Sequence, residues 1–300
     1  MSKTTKEQVW EIVNSLPQRN VIADPVAERW VDGIVAMDPD RAVWHAHRAF
    51  GIGGSEVGEV LRRDLGMDPK FKTPEQISRE KLLLDLPGPD NPHIRRGRLF
   101  EVLAQKVYER LTGRSSLLND AQYSALFSQP HPHYPFVVGN PDDLHRGADE
   151  STGVIITDYK VRSNMDWNEP VDFNYQAQCH WYGNIFKAQS ASLGTGETVA
   201  HYSLAELDVP NALLDGVVAR VKSMTDETEA EQLLDRLADQ ISEWNTPGFG
   251  MRVIAFDHDA KLEQDLIDSA RKLWEDYVLR GVPYFEPRRL EQPDELVIEQ

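Results

Sequence analysis

The sequence predicts an α/β (α+β) fold: a central mixed β-sheet flanked by helices, with helical additions toward the C-terminus. Two patterns carry this reading. Apolar residues recur at helical spacing through much of residues 5–113 and again through 211–245 and 261–281. The apolar runs near 134–161, 199–207 and 251–256 are short and rich in β-branched and aromatic residues, as strands are. With 40% hydrophobic and 27% charged residues, the 300-residue chain has ample material for a core.

The elements follow in order. Val9, Trp10, Ile12 and Val13 make residues 5–15 a short amphipathic helix, and the stretch up to 43 reads as turn-rich connection. Ser55 is the expected N-cap of a helix through Val57, Val60, Leu61 and Leu65 that stops at Gly66. Residues 73–86 form another helix, and 86–92 a loop. Residues 95–113 are the longest helix, with a stripe of Leu99, Leu103, Val107 and Leu111 closed by Gly113. "YPFVVGNPDD" and "GVIITDYKV" should pair as a hairpin, 136–142 against 153–160. Residues 172–186 read as a buried, aromatic-rich helix, and "SASLGTG" and "VAHYSLAEL" as further strands. Acidic helices over 211–245, a strand at "MRVIAF" and a closing helix over 261–281 complete the chain. The expected organisation is an N-terminal helical segment (1–40), a core (41–210), an acidic helical extension with one strand and a closing helix packed on the core (211–285), and a loose tail (286–300).

Bulk properties narrow the function. The N-terminus has no apolar signal-peptide run and no window is long and apolar enough for a membrane span, so a cytoplasmic location is expected. The single Cys179 leaves no internal disulfide and no four-cysteine metal or iron–sulfur site. A net charge of −17 argues at first against nucleic acid. The distribution changes that: residues 201–300 hold 22 Asp+Glu against 10 Lys+Arg, whereas residues 41–114 hold 14 Lys+Arg against 10 Asp+Glu, a balance of +4. Carboxylates that bind metal also add to the negative count without repelling DNA once the metal is in place.

The chemistry concentrates on "GVIITDYKV". Strand alternation puts Val154, Ile156, Asp158 and Lys160 on one face. A charge there costs several kcal/mol unless it is partnered, so the pair needs a reason; the alternative is an edge strand whose polar end meets solvent. "VVGNPDDL" brings Asp142 and Asp143 to the end of the neighbouring apolar run, where the hairpin could set Asp142 near Asp158; a turn-initiating aspartate pair is the simpler alternative. Close carboxylates repel unless a proton or cation lies between them, and an all-oxygen set favours a hard ion such as Mg²⁺, or Mn²⁺. Glu101 sits on a helix beside the Leu stripe, where it faces either the sheet or a boundary salt bridge.

These residues resemble a known signature. Pro141-Asp142 followed by Asp158-Tyr159-Lys160 resembles the PD-(D/E)XK nuclease motif, and the wider pattern resembles the YqaJ-like phage recombinase exonucleases, the group that includes phage lambda exonuclease. "GIGGSE" with Arg48 upstream, "RGRLFE" and "YQAQCHWY" are similar to that group's remaining motifs and occur in its order over residues 44–187. Two positions depart from it: Asp158 stands where glutamate is commoner, and Asp143 where glycine is. The resemblance implies a restriction-endonuclease-like core and a Mg²⁺-dependent 5′→3′ double-strand DNA exonuclease that leaves 3′ single-stranded overhangs for recombination. It implies Glu101, Asp142, Asp158 and the Tyr159 carbonyl as metal ligands, with Lys160 and Gln178 as catalytic groups. It further implies Arg48, Ser55 and Tyr182 for binding DNA and its 5′-phosphate, where a Gly-rich loop opens a helix. Double-stranded DNA ends, a single-strand annealing protein and a trimeric homo-oligomer are the partners it implies.

Other readings remain in view: a structure- or sequence-specific endonuclease on the same fold, a catalytically inert DNA-binding protein, or an acidic DNA mimic. The pairs His45/His47 and His131/His133 lack the further ligands of a zinc hydrolase, and "GTGE" at 194 is a turn with no phosphate-loop lysine after it.

Overall fold

The structure is a computed structural model that describes residues 3–88, 92–147, 153–224 and 227–285, without the side chains of 92–99 and 227. The tail at 286–300 and Leu99 of the helical stripe therefore lie outside the described residues.

The N-terminal third is helical: α1 (Thr5–Asn14), α2 (Asp24–Met37), α3 (Ala42–His47), α4 (Gly54–Asp64), α5 (Pro74–Lys81) and α6 (Pro92–Thr112). The turn-rich reading of 16–43 is corrected, since α2 and α3 occupy it. Asp24-Pro25 opens α2 because proline suits the first helical turn, where an N–H has no partner anyway. α2 then buries Ala27, Trp30, Val31 and Ile34 on one face. α5 starts at a capping box, Thr73 with Gln76, and ends earlier than expected, before Leu83 at φ +57.

A short α7 (Ala121–Ser128) leads to β1 (Asp143–Arg146) and β2 (Val154–Arg162); α8 (Phe173–Ser192) crosses to β3 (Val199–Asp208). Then come α9 (Asn211–Ser223), α10 (Glu227–Trp244), β4 (Gly250–Phe256) and α11 (Ala260–Leu273), which runs on through a π turn, Trp274–Val278. The sheet order is β1-β2-β3-β4, antiparallel, parallel, antiparallel. This is the mixed α/β architecture expected. "SASLGTG" is not a strand: α8 runs to Ser192, and Gly194 and Gly196 take φ of +76 and +65 in the turn after it.

Two cores sandwich the sheet. On one face Val154, Ile156 and Tyr202 pack with Ala177, Trp181, Ile185 and Phe186 of α8, Val57 and Val60 of α4, and Leu266 and Ala270 of α11. On the other, Tyr159, Ala205, Leu207 and Met251 pack with Phe100, Leu103, Ala104 and Val107 of α6 and Leu237, Ala238 and Ile241 of α10. Alternation along β2 thus sends residues 154, 156, 158 and 160 toward α8 and Tyr159 toward α6.

The hairpin register differs from expectation. Residues 136–142 do not pair with β2; Val137 bridges Ile52, and the Trp181 indole donates to the carbonyls of Ile52 and Val138 at 3.2 and 3.1 Å. Pro135, Gly139 and Pro141 interrupt a regular ladder there. β1 begins at Asp143, opposite Thr157, so Asp142 lies one step beyond the last pair and beside Asp158. The acids meet through the strand's entry rather than its body.

Candidate active site

Asp158 is fully buried on β2. Its Oδ1 has no hydrogen-bond donor and its Oδ2 meets only the ammonium of Lys160. The Asp142 carboxyl stands within hydrogen-bonding reach of it. Asp142 is fixed by the Tyr159 backbone N–H, which donates to its Oδ2 at 2.7 Å. Burial is the main force raising Asp158, to about 8; Lys160 pulls it down and the Asp142 charge pushes it up. Lys160 is raised as well: burial disfavours its charge, but Asp158 and Asp142 outweigh that and hold it above its ordinary value. Its ammonium also lies 3.4 Å from the Tyr159 carbonyl and 5.0 Å from the centre of the Tyr175 ring.

Glu101, on α6, stays solvent-exposed yet within Coulombic range of Asp142 and Lys160; partial desolvation and the Asp142 charge raise it to about 7. Among the described residues no three ligand-type side chains form a ready-made metal cage; the acids meet as the pair Asp142–Asp158, with Glu101 standing off. The donor chemistry nevertheless fits a hard divalent cation. A buried carboxylate oxygen is left without a donor, two carboxyls crowd each other, and every candidate ligand atom is oxygen.

Asp143 faces the other way and is saturated. Its oxygens accept from Gln105 Nε2 (3.1 Å), the Tyr159 hydroxyl (3.0 Å), the Leu144 N–H (2.7 Å) and the Ser116 hydroxyl. His145 stacks on Tyr108, its Nδ1 bonded to the Ser115 carbonyl and its Nε2 3.2 Å from the Tyr159 hydroxyl. Burial drives that imidazole below its ordinary pKa in spite of Asp143. Tyr159 therefore grips both aspartates, Asp142 by its N–H and Asp143 by its phenol. Sequence reasoning missed this, because a tyrosine between two charged strand residues carries no signal beyond its inward-facing parity.

α8 supplies Gln178 and Tyr182, one helical turn apart, with Gln178 Nε2 donating to the Tyr182 hydroxyl at 3.0 Å. Burial, then the charges of Asp142 and Asp158, hold the Tyr182 phenol above its ordinary pKa, so it stays protonated. The ring is wedged between two glycines: a Cβ at Gly54 would lie 2.7 Å from it, and one at Gly139 2.9 Å. Tyr182 thereby joins the acid pair to the loop that opens α4.

At that loop Ser55 is not the N-cap. Gly53 is, and Ser55 lies exposed in the first turn. The helix starts early because the Glu56 carboxylate turns back to accept the Gly53 N–H at 2.9 Å. Arg48 Nη2 lies 3.3 Å from the Ser55 hydroxyl and 3.1 Å from Glu56 Oε1, so the expected Arg48–Ser55 pair is together. Lys81, buried, bonds both Glu56 oxygens and the Arg48 carbonyl. Burial opposes the Glu56 charge, but Lys81 and Arg48 overcome it and hold its carboxyl well below the usual range. Neither Glu56 nor Lys81 was foreseen; "GGSE" showed the acid but not its distant lysine. The histidine pairs form no metal group among the described residues, and His131 Nδ1 instead accepts the N–H groups of His133 and Tyr134.

Residues 43–186 match the family model of the YqaJ-like viral recombinase domain. No curated protein and no solved structure matches the chain. The matched segment contains Arg48, Ser55, Glu101, Asp142, Asp158, Lys160, Gln178 and Tyr182, and it ends inside α8. Residues 43–186 are thus similar to the YqaJ-like viral recombinase domain, whose family is a phage-type nuclease and recombinase group with a PD-(D/E)XK-like fold.

Proposed function

We propose that the chain is a divalent-metal-dependent deoxyribonuclease that digests double-stranded DNA from its ends, 5′→3′, leaving 3′ single-stranded overhangs for recombination. The observation that carries this reading is the pairing of the fully buried Asp158 with the half-buried Asp142, with Lys160 beside them and Glu101 in range. Asp142, Asp158, Glu101 and the Tyr159 carbonyl would hold Mg²⁺, with Mn²⁺ the alternative. When bound, such an ion supplies polarisation of the phosphodiester and a more acidic water.

The chain's own residues supply the rest. Lys160 is held protonated by its two carboxylates, so it acts as a fixed positive donor to the phosphate or the attacking water and not as a general base. Gln178 orients the Tyr182 hydroxyl, which burial and the nearby Asp142 and Asp158 keep protonated, and so a donor, at neutral pH. Arg48, the Ser55 hydroxyl and the first N–H groups of α4 make an anion site for a 5′-phosphate. One tyrosine ring separates that anion site from the acid pair, and this favours an end-binding exonuclease over an endonuclease on the same fold. A homo-oligomer, trimeric as in lambda-type enzymes, would keep the enzyme on its duplex, and a single-strand annealing protein would take the product strand.

The test is digestion of linear, nicked and closed circular duplexes with Mg²⁺, Mn²⁺ or chelator. The proposal expects metal-dependent loss of linear duplex only, abolished by Lys160→Ala. Cleavage of closed circles identifies an endonuclease instead, and DNA binding without cleavage an inert fold.

A further inference from the structure

Phe71 stands in the link between α4 and α5, 60% exposed and packed into neither core. The backbone on which it rides is nevertheless fixed. The Glu59 carboxylate of α4 is buried, and its two oxygens accept the Lys70 N–H at 2.9 Å, the Phe71 N–H at 2.8 Å and the Asn174 amide of α8 at 2.8 Å. Arg62 Nε donates to the Asp68 carbonyl at 2.8 Å, and the Met67 N–H closes on the Arg62 carbonyl at 2.9 Å. Burying a carboxylate is costly unless hydrogen bonds offset it, and here two of the three bonds go to the residues that carry the ring. The link also lies against the candidate site. The Lys70 ammonium faces the Phe71 ring at 5.2 Å and the Tyr175 ring at 5.9 Å, and the Tyr175 ring is the one that the Lys160 ammonium faces at 5.0 Å. Lys160, Tyr175, Lys70 and Phe71 therefore form an alternating row of cations and rings that runs from the acid pair to the surface.

A ring held in place with its face open to water, beside a site for phosphodiesters, is matched to the flat face of a nucleobase. Inside a duplex each base face is covered by its neighbours, so a protein ring reaches one only where the stack ends or where a base has left it. We propose that Phe71 stacks on a nucleobase freed from its pair at the DNA end, next to the candidate site. The proposal rests on the reading that DNA ends occupy that site, and it deepens it: the ligand of Phe71 is an unpaired end base, read by its shape and not by its sequence. Phe71 stands away from the reacting atoms, so its part is to select and hold the substrate, and Glu59 is the residue that positions it.

The test uses the full chain with Mg²⁺ and two linear duplexes whose end pairs are mismatched and whose end linkages are phosphorothioates that resist cleavage. One duplex carries its end bases; in the other those positions are abasic. Wild type should bind the base-bearing ends about tenfold more tightly than the abasic ones. Phe71→Ala should lose that preference by weakening only the base-bearing complex, Phe71→Trp should keep it, and the melting temperature of Phe71→Ala should stay at the wild-type value because the ring is exposed. Equal wild-type affinity for the two duplexes, a preference that survives Phe71→Ala, or an equal loss on both duplexes overturns the stacking; the last marks a structural or general apolar contact. Digestion of ordinary linear duplex by the same preparations keeps the two readings apart. Metal-dependent digestion without any base preference sinks the stacking and spares the nuclease, whereas a Phe71-dependent preference without digestion sinks the nuclease and spares the stacking. A wild-type chain that binds neither duplex overturns both.

Discussion

Replacing Asp158 by asparagine keeps the shape of the buried side chain and removes its charge. In the wild-type chain the carboxyl is raised from 3.8 to about 8, chiefly by burial. The folded state therefore binds a proton that the unfolded state gives up between those pH values, so stability falls as pH rises through that window. About four pH units correspond to something on the order of 5 kcal/mol, an upper figure because water and Lys160 adjust as the site opens. The asparagine variant lacks this titration. In chelator, its stability relative to wild type should improve by several kcal/mol from about pH 4 to about pH 8, roughly 10 °C in melting temperature. Mg²⁺ should reverse the order at high pH, stabilising the wild type and leaving the variant unmoved, while cleavage of linear duplex by the variant drops about a hundredfold or more. Thermal scans at several pH values with Mg²⁺ or chelator, beside a gel assay, check all of this. Parallel pH curves for the two proteins, or equal Mg²⁺ stabilisation of both, would refute the argument that this carboxyl is strained until a cation arrives.

Three further outcomes follow from the geometry. Arg48→Ala should erase any preference for 5′-phosphorylated over 5′-hydroxyl ends in a competition digest, since the guanidinium beside Ser55 is the charge partner of the anion site; a preference that survives removes that assignment. Tyr159→Phe deletes the phenol that donates to Asp143 and leaves buried acceptors short, costing about 1–3 kcal/mol in urea denaturation, while Mg²⁺ affinity by calorimetry stays near wild type because the N–H that holds Asp142 remains. Gly54→Ala puts a methyl group 2.7 Å from the Tyr182 ring; it should cost about 1–3 kcal/mol and lower cleavage together with 5′-phosphate preference, because that ring touches both halves of the site. Loss of stability without loss of activity would separate Tyr182 from the chemistry.

The acid pair and its lysine were legible because strand parity is local: any register of β2 keeps Asp158 and Lys160 on one face. The partner segment was less so. Residues 136–142 look like half a hairpin, but Ile52 and the Trp181 indole, both distant in sequence, take up their backbone groups. Only the final aspartates reach β2. The start of α4 moved for a similar reason, as Glu56 caps Gly53 while Lys81 and Arg48 neutralise Glu56 from other helices. α2 went unread because Asp-Pro marks turns and helix starts alike, and the apolar face that decides between them follows later. What eluded the linear reading is the set of contacts that couple elements: Tyr159 to both aspartates, Tyr182 to Gly54, α10 to α6.

That last contact bears on how the protein would grip DNA. Among the 14 basic residues of 41–114, Lys106 and Arg110 are spent on the carboxylates of α10, and Arg48, Arg63, Lys70, Lys72, Arg79 and Lys81 also have acidic partners. Those eight, held by carboxylates, are less available to displace counterions from a duplex. Each phosphate neutralised steepens the fall of log affinity with log salt by about 0.9. Under the proposed function the salt slope per protomer should therefore be shallower than 14 unpaired cations would give.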